Sequence, residues 1–265
     1  MSKYILIIII LLSQKIKAQQ LAELQLGGNF FETQSFGNNP LTLSSLVKNP
    51  IQLNNYISNF QHESVGGAGG FYSLNKNISI SASFHLNKND KLRKKLLFNL
   101  GISIGLEESH PTGFLSKRYT NTPSPQINQR IIETLNFSER RNYLGFIIGA
   151  TYIFRPEKTL SFFSGIQYLH NFSVLHNYNS NIDKLTFTST NSGPETGETF
   201  NYENRSWEGR AYSVQRLFVP LGISIRLTNK YFIRPAIQFG LYWPPEPFRI
   251  TDESHGFSIN LVKRF

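Results

Sequence analysis

The chain has 265 residues, no cysteine and a formal net charge of +10. The lack of cysteine excludes disulfides, a lipid-modified cysteine and thiolate metal sites. We expect the basic excess to face anionic lipid or polysaccharide rather than nucleic acid, because no basic and aromatic nucleic-acid-binding module is recognisable.

The first 18 residues have the layout of a secretory signal peptide. Lys3 supplies a basic start, residues 4–12 form an apolar run, and Ala18 precedes the expected cleavage site. The apolar run is shorter than the ~20 residues that a membrane-spanning helix needs. We therefore expect an exported protein whose mature part, residues 19–265, forms one domain.

Apolar and polar residues alternate along most of the mature chain, as they do in strands with one apolar face. The pattern predicts strands over residues 22–31, 63–74, 78–86, 96–106, 142–154, 159–172, 217–227, 231–243 and 256–265, with a weaker one over residues 50–58. The NKN sequence at residues 75–77 predicts a short hairpin turn, and residues 88–94 another turn.

Two architectures fit such strands: a soluble sandwich with its apolar faces buried, and a membrane barrel with its apolar faces on lipid. The polar face consists mainly of Gly, Ser, Ala and Asn, which suits a narrow barrel interior. Tyr231 and Trp243 share one strand face and, at ~3.3 Å per residue and ~45° tilt, lie roughly 28 Å apart. With Phe265, they are predicted interface aromatics. We predict an all-β, closed antiparallel transmembrane β-barrel of eight to ten strands.

Short and long connections alternate in the predicted barrel. Residues 155–158 (RPEK) and 228–230 (TNK) are short, whereas residues 107–139, 175–209 and 244–255 are long. This arrangement is typical of short periplasmic turns and long extracellular loops. Within the long connections, residues 127–141 predict a short amphipathic helix, and residues 176–207 an extracellular loop.

Charged residues occupy the lumen-facing phase near the turn end. Arg226 and Arg234 flank the turn at residues 228–230, and Arg264 has the same phase on the last strand. Unpaired cations in a narrow lumen are costly. We therefore predict that Glu23, inward on the first strand, pairs with Arg264 or Arg226.

No catalytic, cofactor or metal motif is found in the sequence. His62, His110 and His255 stand in short Glu- and Ser-containing contexts (HES, ESH and ESH) that loop residues produce readily. We predict no enzymatic activity and no cofactor. A lipid-modifying barrel enzyme that uses these histidines stays an alternative.

The ending LVKRF, at residues 261–265, resembles the C-terminal signature of bacterial outer-membrane β-barrels. Residues 216–242 resemble a hairpin of small outer-membrane barrels of the Bacteroidota, and residues 65–108 are similar in pattern to the PorP/SprF group. The resemblance implies assembly by the barrel-assembly machinery and a location in the outer membrane of a Gram-negative bacterium. It also implies contact with lipopolysaccharide and a structural or interaction role, with an accessory subunit of an envelope or secretion complex as one form. A narrow small-solute channel or a loop-based receptor is the alternative.

Overall fold

The computed structural model describes residues 21–36, 47–58, 60–63, 70–85, 95–111, 114–190, 194–243 and 252–265. In these ranges it contains one helix, α1 (Pro50–Ile57), and eleven strands: β1 (Leu21–Phe36), β2 (Gln61–Glu63), β3 (Gly70–His85), β4 (Leu96–Pro111), β5 (Phe114–Ser124), β6 (Ile127–Ile153), β7 (Leu160–Thr190), β8 (Thr196–Glu208), β9 (Ser213–Arg226), β10 (Tyr231–Trp243) and β11 (Asp252–Arg264). No helix in these ranges is long and apolar enough to cross a membrane. The predicted signal peptide and the predicted turn at residues 88–94 lie outside the described residues.

Eight of the strands close into a ring. The order is β1–β3–β4–β6–β7–β9–β10–β11, every neighbouring pair is antiparallel, and β11 pairs back onto β1. The closing register runs from Glu23 opposite Arg264 to Thr33 opposite Ser254. Closure leaves the ring without an open edge. The closed antiparallel barrel is therefore confirmed, with eight strands in the ring.

The polarity of the ring is reversed relative to a soluble protein. Ile78, Ile104 and Phe162 face outward and are each more than 60% exposed. Small polar side chains fill the inside, among them Ser83, Asn99, Ser103, Thr151, Ser161, Ser224 and Ser258. An apolar exterior around a polar interior is the arrangement of a barrel in hydrocarbon. A sandwich is excluded, because the apolar faces do not pack against a second sheet.

The outward apolar surface, here called the apolar belt, has an upper boundary that is seen on β4 and β6. On β6 the outward phase changes from Leu144 to Asn142, and on β4 from Leu106 to Glu108. We call this side the loop end. At the opposite side, the turn end, short turns at residues 154–159 and 227–230 connect β6 to β7 and β9 to β10.

Two ring strands continue far beyond the belt. β6 has 27 residues and β7 has 31, whereas a tilted strand crosses hydrocarbon in ~9–11 residues. Residues 127–141 of β6 stay paired with residues 176–190 of β7, β5 and β8 flank them, and β2 pairs with β5. Together these segments form the extension sheet.

The extension sheet corrects two predictions. Residues 127–141 are a strand and not a helix, because their odd positions all face one side of the sheet while the even ones face the other. The adjacent Ile131 and Ile132 suggested a helical stripe, but they lie on opposite sheet faces. Residues 176–207 belong mainly to β7 and β8 and are not an irregular loop.

The predicted weak strand over residues 50–58 is wrong, since these residues form α1. Pro50 opens the helix, and the Asn49 side chain caps it by accepting a hydrogen bond from the Gln52 backbone N–H at 3.3 Å. Leu53 and Ile57, spaced by four residues, form its buried stripe.

The predicted hairpin at residues 75–77 is also wrong. β3 runs through it without interruption, paired with β1 and β4 on either side. Asn75 and Asn77 look like turn residues, but both are buried on the lumen side, while Lys76 points outward. The two strands predicted over residues 63–74 and 78–86 are therefore parts of one strand.

The orientation of the belt predicts a depth-dependent cost for added charge. Ile80 faces outward at the middle of the belt, so Ile80→Arg should lower the free energy of unfolding from lipid vesicles by about 2–4 kcal/mol. Asn142→Arg, outward on β6 but above the belt, is the matched control and should change it little. Urea-dependent unfolding measures both. Equal effects of the two substitutions would contradict the placement of the belt.

Candidate functional site

A buried ionic cluster closes the turn end of the lumen. Arg234 on β10 makes a bidentate contact with Glu23 on β1, with Nη1 at 2.5 Å from Oε2 and Nη2 at 2.8 Å from Oε1. Arg264 on β11 donates from Nε and Nη2 to Glu23 Oε1, each at 3.0 Å. Arg234 Nε also donates to Ser224 Oγ at 3.1 Å. Such paired geometry offsets the cost of burying the charges.

The structure brings three of the four predicted lumen residues together and leaves the fourth aside. Glu23, Arg234 and Arg264 meet because β1, β11 and β10 are adjacent in the ring. Arg226 lies on β9, one strand further, and donates instead to the carbonyl oxygens of Glu157 at 2.5 Å and Pro156 at 3.5 Å. Its cation thereby holds the turn between β6 and β7.

A second ionic cluster closes the loop end of the lumen. Glu107 on β4 forms ion pairs with Arg141 on β6 and with Arg216 on β9, the latter at 2.8 Å. Ser73 Oγ and Asn75 Nδ2 donate to the same carboxylate at 2.7 and 3.1 Å. All five side chains are buried.

Tyrosine rings pack around the guanidinium groups of this cluster. The Arg216 cation lies 4.7 Å from the Tyr242 ring centroid, and the Arg141 cation 4.7 Å from that of Tyr212. Desolvated cations gain from such contact with aromatic faces. The Tyr143 hydroxyl donates to Asn75 Oδ1 at 2.5 Å and ties the aromatic shell to the polar one.

The sequence did not reveal the loop-end cluster, although a signal exists. Glu107, Arg141 and Arg216 each lie on the inward phase, one position beyond the strand boundaries predicted at residues 106, 142 and 217. Extending the alternation by one residue at each boundary identifies all three.

A third layer lies above the belt, on the inward face of the extension sheet. Glu139 on β6 contacts His176 Nε2 at 2.8 Å and accepts a hydrogen bond from the Tyr212 hydroxyl. Burial raises the pKa of Tyr178 and of Tyr212 well above the ordinary tyrosine value, and the Glu139 carboxylate adds to this. Both tyrosines therefore stay neutral.

Aromatic packing fills the lumen between the two ionic clusters. The rings of Phe31 and Phe218 stack with centroids 4.3 Å apart, and Leu169 packs against them. Next to them is an internal cavity of about 20 Å³, large enough for about one water molecule. Ion pairs at both ends and stacked rings between them occlude the lumen, as expected for eight strands.

A hydrophobic cluster lies on the same inward sheet face above the third layer. It combines α1 with the extension sheet and consists of Val47, Leu53, Ile57, Leu135, Phe137, Tyr178, Ile182 and Trp207. Arg205 stacks on the Tyr56 ring at 4.3 Å. Lys48 and Glu208 form an ion pair where the segment before α1 meets β8. The extension thus has an apolar core of its own outside the membrane.

The predicted interface aromatics lie on the barrel surface, as does one of the three histidines considered above. Tyr231 and Phe265 are exposed at the turn end, and Trp243 ends β10 at the loop end. His255 faces outward, with Nε2 at 3.9 Å from Glu32 Oε2. The side chains of His62 and His110 lie outside the described set. Within that set, no group of three or more acidic or histidine side chains could hold a metal ion.

A closed ring with an outward apolar belt and an ion-paired interior defines an integral membrane β-barrel with an occluded lumen. No family model matches the sequence, and no curated protein matches it. The identification of the fold therefore depends on the ring and its polarity.

Several solved structures are similar to this chain at low sequence identity. Neisserial surface protein A is 11% identical over 92% of this chain and 97% of its own, with a TM-score of 0.38. Ail of Yersinia pestis is 9% identical over 93% and 100%, with a TM-score of 0.26. The translocator domain of the autotransporter NalP from Neisseria meningitidis is 8% identical over 99% and 98%, with a TM-score of 0.28.

The turn-end cluster predicts a large cost for removing its one carboxylate. Glu23→Gln leaves Arg234 buried without a counter-charge and should lower the free energy of unfolding by about 3–5 kcal/mol. The double variant Glu23→Gln, Arg234→Gln should lose less, because the partly exposed Arg264 is hydrated. Unfolding in urea, followed by the gel shift between folded and heated barrel, measures the effect.

Glu157→Gln, at the same end but exposed, is the control and should behave as the wild type. A loss below about 1 kcal/mol for Glu23→Gln, the range of exposed ion pairs, would contradict the structural role of the cluster.

Proposed function

We propose that this protein is a non-enzymatic outer-membrane β-barrel that anchors an interaction surface, the extension sheet with α1, at the cell surface. The observation that carries the proposal is the contrast along β6 and β7. Their lower halves enclose a lumen filled by ion pairs and stacked rings, while their upper halves build a separate folded layer with an apolar core. A folded layer outside the membrane, above an occluded lumen, supports a role in recognising a partner and not in passing solutes through the barrel.

The proposed orientation puts the turn end in the periplasm and the extension sheet outside. Short turns at residues 154–159 and 227–230 are typical of the periplasmic side of such barrels. Export by residues 1–18 and insertion by the barrel-assembly machinery belong to the same proposal, as does a Bacteroidota-type origin. A role as accessory subunit of an envelope or secretion complex is its more specific form.

The surface offered for interaction is the outward face of the extension sheet. It carries amide and hydroxyl side chains such as Asn136, Ser138, Asn179 and Asn181, and Asn136 donates to Asp183 at 2.8 Å. A sheet face rich in hydrogen-bonding groups, with the α1 core packed behind it, suits a polar protein or glycan surface.

A narrow small-solute channel is the second candidate. Buried polar atoms on the lumen side, Ser103 Oγ and the Asn171 side-chain amide among them, have no hydrogen-bond partner within the described protein atoms. Such groups favour internal water, and a water file is the minimum requirement for conduction.

Conductance separates the two candidates. The purified full chain in a planar bilayer should give no unitary currents, because the two ionic clusters and the Phe31–Phe218 stack block the lumen in series. Steady, discrete current steps from the wild type would favour the channel and displace the proposal.

Site-specific photo-crosslinking in cells tests the interaction surface. A photoreactive residue at Asn179, exposed on the extension sheet, should give discrete protein or glycan adducts. The same residue at Ile237, exposed on the belt, is the control and should give only lipid adducts. Leu53→Asp, which puts a charge into the α1 cluster, should weaken the Asn179 adducts while the folded barrel persists. Identical patterns at both positions would refute the proposed surface.

A further inference from the structure

A groove lies on the lipid-facing surface in the loop-end half of the apolar belt. Its floor is Gly28 on β1, which faces outward between Ile78 on β3 and Ile259 on β11. Both isoleucines are at least half exposed, and a Cβ atom built on Gly28 would meet no atom within 4 Å. The groove has a volume of about 560 Å³, and Phe30, Ile104 and Phe257 contribute to its walls.

Gly28 is unusual among the glycines of the ring. At Gly27, Gly101, Gly105, Gly145, Gly149, Gly165, Gly222, Gly240 and Gly256, an added Cβ would approach a neighbouring atom to 2.6 Å or less. Those glycines make room for lumen side chains or for the backbone of a neighbouring strand. Gly28 makes room only on the outside, and glycine within a strand often marks a place where a ligand approaches the backbone.

The width of the groove selects its occupant. Ile78 and Ile259 lie on the strands that flank β1, and strands are spaced ~4.8 Å apart. The two isoleucines are therefore separated by two strand spacings, and the slot left between their side chains is about one strand spacing wide. A helix with its side chains, ~10–12 Å across, does not enter it, whereas a single acyl chain does.

A cation stands at the upper end of the groove. Lys76 on β3 is exposed, pairs in register with Phe30 and Leu106, and lies at the level where the outward phase becomes polar. The nearby carboxylates have other partners: Glu32 lies 3.9 Å from His255, and Glu108 lies 4.0 Å from Arg140. Within the described ranges, Lys76 forms no ion pair.

We propose that this groove binds a phosphate-bearing membrane lipid. One acyl chain lies over Gly28 between Ile78 and Ile259, and the lipid phosphate pairs with the Lys76 ammonium group. The lipid belongs to the leaflet at the loop end, because Lys76 lies at that boundary of the belt. The inference requires only the membrane-spanning ring, so it stands or falls separately from the interaction role of the extension sheet.

Native mass spectrometry of the full chain in detergent micelles tests the site. Dipalmitoyl phosphatidate and dipalmitoylglycerol are titrated separately, since they share acyl chains and differ in the phosphate. The wild type should retain one phosphatidate about fivefold more tightly than the diacylglycerol, the factor that one lysine near a lipid surface supplies. Lys76→Gln should remove this preference, whereas Lys263→Gln, outward at the turn end, should keep it.

Filling the groove tests the acyl-chain half. Gly28→Leu should weaken retention of both lipids, and Gly28→Ala should do so to a smaller extent. Ala82→Leu is the matched control, because Ala82 also faces outward in the belt between Leu24 and Leu100 but outside the groove. The gel shift on heating verifies that each variant is folded, which the free space around Gly28 leads us to expect.

Three results would contradict the proposal. Equal lipid retention by Gly28→Leu and Ala82→Leu would eliminate the groove as the binding site. Equal affinity of the wild type for phosphatidate and diacylglycerol, or an unchanged preference in Lys76→Gln, would eliminate the phosphate contact.

Discussion

In hydrocarbon, each backbone N–H and C=O must find its partner within the protein, and the whole molecule depends on how the sheet meets this demand at its seam. The seam is the pairing of β1 with β11, the first and last strands described. Glu23 on one side of it holds Arg264 on the other and Arg234 one strand beyond. Main-chain closure and side-chain ion pairing thus reinforce each other at the same place.

Occlusion of the lumen follows from the small diameter of the ring. Eight strands leave an interior that side chains can fill, and this chain fills it with charge at both ends and aromatic rings between. Among the described residues, a buried carboxylate is shared by two arginines around Glu23 and again around Glu107. Each connects three separate strands of the ring. The interior therefore links the strands of the wall to one another.

The sequence alone was sufficient to predict the barrel, because a strand between lipid and lumen needs apolar side chains at every second residue. Runs such as residues 231–243 have apolar side chains on one phase and small or charged ones on the other, and the ring obeys this pattern. The same rule led to Glu23 as the inward carboxylate on β1. Neither inference required knowledge of long-range contacts beyond the order of the strands.

The incorrect predictions concern segments at the edge of the lipid or beyond it, where the alternation rule no longer applies. Above the belt, β6 and β7 have water on one face and α1 on the other, so their apolar residues change to the inward phase. Residues 127–141 were therefore misassigned as a helix. Asn75 and Lys76 have turn-forming character, yet lumen hydrogen bonds and the lipid boundary account for them. α1 has local signals, Asn49, Pro50 and the Leu53–Ile57 spacing, that outweigh its weak alternation.

The continuation of β6 and β7 as paired strands from the membrane to the exterior has a mechanical consequence. The ladder between these strands runs from Ile153 opposite Phe163 to Ile127 opposite Thr190, with one register shift between Asn142 and Tyr143, where Val174 bulges at the boundary of the two regions. A pull on the outer sheet is carried directly into the embedded wall, as shear over many hydrogen bonds loaded in parallel. The strands of the barrel wall therefore share any load that acts on the extension sheet.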